Sequence, residues 1–323
     1  MHIGKVSEIT YKRSVKKKLS SRLEGVVPGV DAAELSLEDI TIVMSSNCIL
    51  KWFLGCEDYY LQKTINQLYE KGGEPAFLQL EINIPLDLDE KKLGRVVKNF
   101  NEAAEKRDIQ VCSCNTYAGM AEDIIAHITV IGKQKIGLHK FSDRRSVKPE
   151  MEIVMAGSIA VGGTAVVSQI YKDKLLEKFN PGFVNQCIGL KDETDVEKIV
   201  KIAEKNDTIA MHAVSDGGVF SAIWELASSA DIGVKADIKK IPVRQETVEV
   251  AELFDYNPYL IDGTGAMLIV CQNGKEMAAQ FQQNHIMAAV IGHLTQGHDR
   301  VAINGEEKRY LEPPRGDELY RFI

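Results

Sequence analysis

A chain of 323 residues is long enough for two domains with sizeable hydrophobic cores. Its net charge of −7 argues against nucleic-acid binding through a large basic surface, and no apolar run approaches the roughly 20 residues of a membrane-spanning helix. Lysine and arginine side chains at residues 12–18 stand where a signal peptide has its apolar core. We therefore expect a cytoplasmic protein that binds neither nucleic acid nor a membrane.

The first half of the chain alternates helical and strand patterns, which predicts an α+β domain with helices over one face of a sheet. Helices are predicted at residues 59–69 and 89–107, and strands at 40–44, 76–84, 109–114 and 124–131. A polar, charged segment at residues 133–150 ends near Pro149 and predicts a linker. The predicted domains are therefore residues 1–140 and 150–323.

The same alternation resumes after the linker, so the second half is also predicted to be mixed α and β. Two candidate strands at residues 288–294 and 300–303 follow each other closely and are interpreted as a hairpin-like pair. The other predicted strands are 153–157, 208–212, 234–238 and 267–271, and the predicted helices are 164–168, 195–205, 219–230 and 246–254.

Six cysteines occur in the chain, and none forms a CxxC pair or has zinc-finger spacing. Disulfides are not expected in a reducing compartment. Cys112 and Cys114 are two residues apart in a predicted strand and so share one face. They fit either a soft-metal or redox pair or two small buried hydrophobic residues, and the second interpretation is favoured because cysteine is often buried.

The most informative segment is His212-Ala-Val-Ser-Asp-Gly-Gly218, which runs directly into a helical pattern. Two glycines let the backbone turn tightly, and a helix start directs N–H groups and a positive dipole end at one point. Such a point suits a phosphate group, and His212 and Asp216 would flank it with a proton-transfer group and a carboxylate. The glycine pair also fits plain turn chemistry, so both interpretations stay open at this stage.

The segment His212 to Gly218 resembles the His-Asp-x-Ser/Thr-Glu/Asp-Gly-Gly element of the aminoimidazole-ribonucleotide-synthetase (PurM-like) superfamily, and later segments resemble its HypE branch. The order and spacing of that branch recur in Trp224–Ala227, Ile241–Arg244, Thr264–Ile269 and Ala289–Gly292. The resemblance implies a two-domain α+β fold. Its first domain is a mixed sheet with helices on one face, which closes a β-barrel with a second copy in a homodimer, and its second domain is an α/β sandwich.

Members of the superfamily hold ATP phosphates and Mg²⁺ in a cleft between the domains, so the resemblance also implies site residues here. Asp31 would be a metal and cofactor ligand, Asn47, Asn66 and Asn115 would orient the nucleotide, Gly217 and Gly218 would bind its phosphate, and His212 and Asp216 would be catalytic. ATP and Mg²⁺ are accordingly the expected cofactors.

Several matched positions have lost a carboxylate. The family's paired aspartates correspond to Val30-Asp31, its Ser/Thr-Asp to Ser46-Asn47, its Asn-Asp to Asn66-Gln67, and its Gly-Gly-His-Thr-Glu to Ser113–Tyr117. Neutral amide oxygens hold Mg²⁺ and a highly charged nucleotide less firmly than carboxylates do. We therefore expect phosphoryl transfer to be weak or absent.

Two function classes follow from this pattern. The first is an ATP-using ligase, synthetase or kinase-like enzyme that phosphorylates an amide, carbonyl or acid oxygen. The second is a non-catalytic relative that acts as a maturation or scaffold protein through contacts with a partner protein. HypE proteins end in a cysteine that carries a carbamoyl group. No cysteine follows Cys271 in this sequence, so we do not expect cyanide-ligand synthesis.

Overall fold

A computed structural model of the protein describes residues 8–19, 31–37, 39–119, 121–135 and 144–323. The chain divides into two compact units. One contains the described residues of Asp31–Gly137. The other contains those of Leu138–Phe322 together with the N-terminal helix α1 (Glu8–Ser14). The predicted linker at 133–150 lies partly outside the described residues.

The first unit is a five-stranded sheet with two helices. The strands are β1 (Ala32–Leu37), β2 (Ile40–Ile49), β3 (Gly73–Pro85), β4 (Gln110–Gly119) and β5 (Ile125–Gln134), and the helices are α2 (Cys56–Tyr69) and α3 (Glu90–Glu105). The strand order is β1-β2-β5-β3-β4, with β3 and β4 parallel and the other pairs antiparallel. The mixed sheet confirms the prediction for this half of the chain.

Helix α3 shows how the sequence builds this unit. The side chain of Asp89 accepts a hydrogen bond from the Lys91 N–H and so caps the first turn. One stripe of the helix is buried, at Val96, Phe100 and the two alanines at 103–104, while the opposite face is solvated. Helices α2 and α3 pack on each other and cover one face of the sheet, as the sequence pattern predicts.

The second unit is a seven-stranded sheet with helices. Its strands are β6 (Glu152–Ala156), β7 (Thr208–Val214), β8 (Gly233–Asp237), β9 (Ala266–Cys271), β10 (Ala288–Thr295), β11 (Arg300–Asn304) and β12 (Glu307–Tyr310). Its helices, besides α1, are α4 (Val161–Ile170), α5 (Lys172–Lys178), α6 (Pro181–Gly189), α7 (Glu197–Glu204), α8 (Gly218–Ser229), α9 (Gln245–Phe254) and α10 (Gly274–Gln283). The strand order is β12-β11-β8-β10-β6-β9-β7.

Strand β9 is buried at every residue and β6 at all but its first, so the centre of this sheet is covered on both faces. This agrees with the predicted α/β sandwich. A short 3-10 helix, Glu318–Arg321, follows the last strand. Among the described residues, no helix combines the length and the apolar composition needed to cross a bilayer.

The predicted hairpin-like pair of residues 288–294 and 300–303 is wrong. Strands β10 and β11 lie on opposite sides of β8, antiparallel and parallel to it, and do not pair with each other. The hairpin forms one strand later, between β11 and β12, where the two-residue turn Gly305-Glu306 joins them.

The favoured interpretation of Cys112 and Cys114 is also wrong, because both side chains are exposed. Among the described strands, β4 lies at the edge of its sheet next to β3, and the register between the two strands slips next to Cys112. The buried cysteines are Cys56, Cys187 and Cys271.

Candidate functional site

The glycine pair of the second unit stands where the sequence predicts a tight turn. Gly217 (φ 73°) and Gly218 (φ 67°) both adopt left-handed backbone conformations that favour glycine, and α8 begins at Gly218. A Cβ atom on Gly218 would lie 2.6 Å from the Tyr259 carbonyl oxygen and 2.7 Å from that of Ile261. Because Gly218 has no side chain, the backbone at Tyr259 and Ile261 can pack directly against it.

Three N–H groups at the start of α8 already have partners within the chain. The Gly218 N–H donates to the Ser215 carbonyl at 3.0 Å, and the Phe220 N–H donates to the Tyr259 carbonyl at 3.3 Å. The Gly217 N–H donates to Asp317 Oδ2 at 2.7 Å. An anion does occupy the predicted phosphate position, but it is a carboxylate supplied by the C-terminal segment.

Asp317 makes two further backbone contacts with its other oxygen. Its Oδ1 accepts from the Asp262 N–H at 3.1 Å and from the Leu319 N–H at 2.7 Å. One oxygen from each of Asp216, Asp262 and Asp317 lies within 4.8 Å of the other two. Within the described part of the chain, this is the group of three acidic side chains close enough to share a cation, and Asp31 is not among them.

His212 lies on β7 and is completely buried. Its Nε2 is 3.1 Å from Glu225 Oε2 on α8, so an imidazole and a carboxylate form a hydrogen-bonded pair inside the second unit. On the same helix, the Trp224 ring lies 4.3 Å beneath the Arg300 guanidinium. The pair fixes the orientation of the imidazole, and its burial limits direct contact with a substrate.

Two of the four predicted site residues in the first unit belong to one hydrogen-bond network. Gln67 on α2 donates to Asp31 Oδ2 at 3.0 Å, and its Oε1 accepts from Asn47 Nδ2 at 2.7 Å and from the Ser45 hydroxyl at 2.9 Å. Asn47 Nδ2 also reaches Thr64 Oγ1 at 2.9 Å. The network joins the start of β1, strand β2 and helix α2 through polar side chains that are mostly buried.

The other two predicted residues lie apart from this network. Asn66 is buried on α2, where it accepts from Gln62 Nε2 at 2.9 Å, and Gln62 in turn accepts from Arg107 Nε at 2.8 Å. Asn115 is an exposed residue of the edge strand β4, directly beside Glu81 of β3. In the first unit, therefore, the structure brings Asp31 and Asn47 together and leaves Asn66 and Asn115 elsewhere.

The donor set around Asp31 is a poor match for Mg²⁺. Its network contributes one carboxylate, while the remaining groups are amides and hydroxyls that hydrogen-bond to one another. Mg²⁺ in proteins is bound through carboxylates and phosphate oxygens in nearly ideal octahedral geometry. A single negative charge compensates the dication weakly, so we derive no reaction step through a metal at Asp31.

The sequence prediction did not name Gln67, Asp262 or Asp317 as site residues, although Gln67 matches the position of a family carboxylate. Gln67 stands next to the predicted Asn66, and its i, i+3 spacing from Thr64 on a helix could have indicated a shared face. Asp317 is about one hundred residues from Gly217 in the chain, and no local pattern signals that contact.

A cavity of about 840 Å³ lies in the second unit beside the start of α8. Its lining includes Phe220 and Ser221 of the first helical turn and most of the segment from Arg309 to Arg321. The Phe220 ring stacks on Tyr259, with 4.9 Å between centroids and 14° between planes. Burial raises the pKa of Tyr259, which favours its protonated hydroxyl.

The amino-acid sequence is similar to one protein family and to several characterised proteins. Residues 148–304 match a protein family described as AIR synthase related protein, C-terminal domain. A putative hydrogenase expression/formation protein of Methanocaldococcus jannaschii is 25% identical over 269 residues, which cover 80% of this chain and 76% of the relative. The carbamoyl dehydratase HypE of Azotobacter vinelandii is 24% identical over 249 residues, which cover 73% of this chain and 69% of that protein.

Solved structures share the fold along nearly the whole chain. The HypE–HypF complex matches with a TM-score of 0.70 and 17% identity over 95% of this chain and 98% of that chain. A structure of HypE in complex with ATP has a TM-score of 0.68 and 17% identity, over 98% and 94%. AaThiL complexed with AMPPCP and TMP has a TM-score of 0.70 and 19% identity, over 98% of both chains. At these identities the likeness establishes the fold, and the predicted fold class is confirmed.

Proposed function

Because the chain belongs to the aminoimidazole-ribonucleotide-synthetase-like (PurM-like) superfamily, we propose that it binds a nucleotide, ATP, with phosphoryl transfer that is weak or absent. Nucleotide binding is supported by the structures of HypE with ATP and of AaThiL with AMPPCP, whose fold this chain shares. Weak transfer is supported by the network of Asp31, Gln67 and Asn47, which offers a metal ion one carboxylate.

The residues of the second unit would contribute binding and proton handling. The Gly217 N–H and the start of α8 would hold a phosphate oxygen by hydrogen bonding and by the helix dipole. Gly218 keeps the turn tight enough for that approach. His212, oriented by Glu225, would hold or pass a proton. Asp216 is partly exposed and is the second candidate for this proton transfer.

The residues of the first unit would position the nucleotide more than they would activate it. Asn47 and Asp31 are held by Gln67, so their oxygens have fixed directions and would orient polar groups of a ligand. Asn66 and Asn115, which lie outside that network, stay predictions as nucleotide contacts. Mg²⁺, if it accompanies ATP, would draw most of its negative ligands from the phosphates.

Calorimetric titration of the full chain with ATP, in the presence and absence of Mg²⁺, tests the binding proposal, and phosphate release tests turnover. We expect saturable ATP binding with phosphate release near the uncatalysed rate. A dissociation constant below about 10 μM, which is about 7 kcal/mol of binding free energy, together with steady ATP turnover would contradict weak phosphoryl transfer. No heat and no thermal stabilisation with ATP would contradict nucleotide binding.

A second candidate is a non-catalytic maturation or scaffold protein. This candidate is favoured by the amide side chains of the Asp31 network, Asn47 and Gln67. Their polar groups hydrogen-bond within the network and so are not directed at a reacting substrate. HypE is found in complex with HypF, which makes a HypF protein the partner to test. Co-elution of the chain with HypF from the same source, in the absence of ATP, is the expected result for this candidate.

A homodimer is also proposed, with the uncovered face of the first unit's sheet as its interface. Side chains on the face opposite α2 and α3 are exposed or half-buried, including Leu35 and Phe77 at 39% and 43% exposure. Strand register places Phe77, Ile131 and Met44 in one row across β3, β5 and β2. A second copy of this face would bury these apolar groups.

A further inference from the structure

Part of the C-terminal segment of the second unit, residues Leu311–Gly316, lines the cavity, and we call it the strap. It has no helix or strand of its own, and Pro313 and Pro314 have no N–H to donate. Among the described residues, no backbone–backbone hydrogen bond joins residues 312–316 to the rest of the unit. The strap is therefore held mainly at its two ends.

The first end is fixed to the sheet. The Leu311 N–H donates to the Arg300 carbonyl at 2.9 Å, and the Leu311 side chain is buried. Beyond the other end, Phe322 packs edge-on against Tyr171 and Tyr256, and Leu319 is buried. These contacts keep both flanks of the strap in place whether or not its middle moves.

Asp317 fixes the second end directly at the start of α8. Its carboxylate accepts from the Gly217 and Asp262 N–H groups, at 2.7 and 3.1 Å. Hydrogen bonds from backbone N–H groups to a carboxylate are charge-assisted and strong, and the helix dipole adds to them. The Gly217 and Asp262 N–H groups therefore form a binding site for a negatively charged oxygen group, and the Asp317 carboxylate occupies it.

The electrostatic surroundings of this contact are mixed. Asp216 and Asp262 bring their carboxylates within 4.8 Å of Asp317, so three negative groups repel one another there. On the strap side the cavity is lined by Arg309, Arg315 and Arg321. An incoming polyphosphate that carries a divalent cation would keep the two amide contacts and bring positive charge next to the remaining carboxylates.

We propose that Asp317 regulates the nucleotide site by occupying it: its carboxylate competes with a phosphate group for the Gly217 and Asp262 amides, and a polyphosphate–divalent cation complex displaces the strap. The proposal rests on the proposed function for the place where phosphate binds. In the closed state, which the structure describes, the Asp317 carboxylate accepts hydrogen bonds from the two amides. In the open state, the strap is displaced and a phosphate group accepts these hydrogen bonds instead. The cavity of about 840 Å³ beside α8 has the size of a typical ligand pocket.

The test measures the affinity of the full chain for tripolyphosphate with Mg²⁺ by titration calorimetry. Asp317→Ala removes the competitor, and Glu306→Gln removes the same charge from an exposed residue of the β11–β12 turn, which does not line the cavity. We expect Asp317→Ala to bind at least about tenfold more tightly than the natural chain, because the fraction of open molecules no longer limits affinity. Glu306→Gln should stay within about twofold of the natural chain, because it leaves that fraction unchanged.

Trypsin cleavage after Arg315 gives a second readout. In the natural chain tripolyphosphate with Mg²⁺ should accelerate cleavage several-fold, and Asp317→Ala should be cleaved rapidly without any ligand. If Asp317→Ala does not fold, Asp317→Asn retains an acceptor of the same shape without the charge, and its gain in affinity over Glu306→Gln decides. Equal affinities for the variant and the natural chain, or cleavage slowed by the ligand, would overturn the proposal.

The outcomes separate this proposal from the proposed function. ATP bound equally well by the natural chain and by Asp317→Ala would support nucleotide binding and overturn regulation by Asp317. Tripolyphosphate bound more tightly by Asp317→Ala, with ATP bound by neither protein, would support the Asp317 proposal and contradict nucleotide binding.

Discussion

At the residue scale, Gln67 determines the chemistry of the first unit's polar network. Its amide nitrogen faces the carboxylate of Asp31, and its oxygen faces the donors of Asn47 and Ser45. One amide can orient itself in only one way to satisfy both sides. The single carboxylate at Asp31 and the neutral amide at Asn47 are therefore mutually consistent, and a second carboxylate at 47 would not be.

Asn47→Asp should destabilise the fold by about 1–3 kcal/mol, because an acceptor would then face the acceptors Gln67 Oε1 and Thr64 Oγ1. The Thr64 hydroxyl already donates to the Tyr60 carbonyl at 2.7 Å. The double variant Asp31→Asn, Asn47→Asp should recover much of this loss, because a reversed Gln67 amide satisfies both new partners. Urea denaturation of the two single variants and the double variant measures the coupling. Additive losses would contradict the network.

Buried cysteines give a prediction that depends on pH. Burial raises the pKa of Cys187 to about 11 and that of Cys271 to about 12. Since the folded state favours the neutral thiols, their contribution to stability is fully present below the unfolded value of 9.0 and is lost as pH rises from there through the folded pKa values. The free energy of unfolding should fall across this alkaline range. Changing both residues to alanine should flatten the fall, and an unchanged slope would contradict the prediction.

The same cysteines differ in access to reagents. Cys112 and Cys114 are exposed, whereas Cys56, Cys187 and Cys271 are buried. Iodoacetamide at mildly alkaline pH should label the two exposed thiols first, because reaction requires an accessible thiolate. Mass spectrometry of tryptic peptides identifies the labelled sites. Fast labelling of Cys271 in the folded protein would contradict the burial described here.

At the element scale, close backbone approach explains the glycine pairs at the starts of α4 and α8. The loop that contains Tyr259, Asp262 and Thr264 lies against both helix starts: Gly162 and Gly163 at the start of α4 donate to the Thr264 and Asp262 carbonyls, each at 3.0 Å. The α8 turn receives the Tyr259 carbonyl in the same way. The glycine signals correctly predict tight turns, but the groups that approach closely are carbonyls of one loop and a carboxylate.

One glycine on a helix, Gly94, and one on a strand, Gly292, allow the same substitution to be compared in two environments. Gly94→Ala, on the exposed face of α3 with no atom within 4 Å of the new Cβ, should stabilise the protein by about 0.5–1 kcal/mol through helix propensity. Gly292→Ala, at the bulge in β10 where the Cβ would lie 2.2 Å from the Lys235 carbonyl oxygen, should cost about 1–3 kcal/mol. Chemical denaturation measures both. Equal effects would contradict the packing at β10.

At the scale of the whole molecule, the uncovered sheet face predicts association. The natural chain should sediment as a dimer at micromolar concentration. Phe77→Glu places a charge in the apolar row of Phe77, Ile131 and Met44 and should shift the equilibrium towards the monomer, because burying an unpaired charge is costly. Leu54→Glu, at a position outside the sheet that is 81% exposed, is the control and should remain dimeric. A monomeric natural chain would contradict the proposed interface.

The sequence alone determined the elements with strong local signals. The helical pattern of residues 89–107 predicted α3, the strand patterns of residues 76–84 and 124–131 predicted β3 and β5, and the glycine pair predicted the turn into α8, because each signal lies within a few residues of the structure that it specifies. Helix α10 had a comparable signal, in which Asn273 caps the helix and accepts from the Glu276 N–H, but the prediction omitted it. The superfamily resemblance rested on the order of such local motifs.

Tertiary structure alone decided which distant groups meet. The partners of β10 and β11 depend on strand order across the sheet. The bridge from Asp31 to Asn47 runs through Gln67, and Asp317 contacts Gly217 from one hundred residues away in the chain. Local patterns encode backbone conformation and burial, whereas pairings between distant segments depend on the packing of the completed domain. For this reason the sequence pointed to an anion position at the start of α8, and only the folded chain showed that a carboxylate already occupies it.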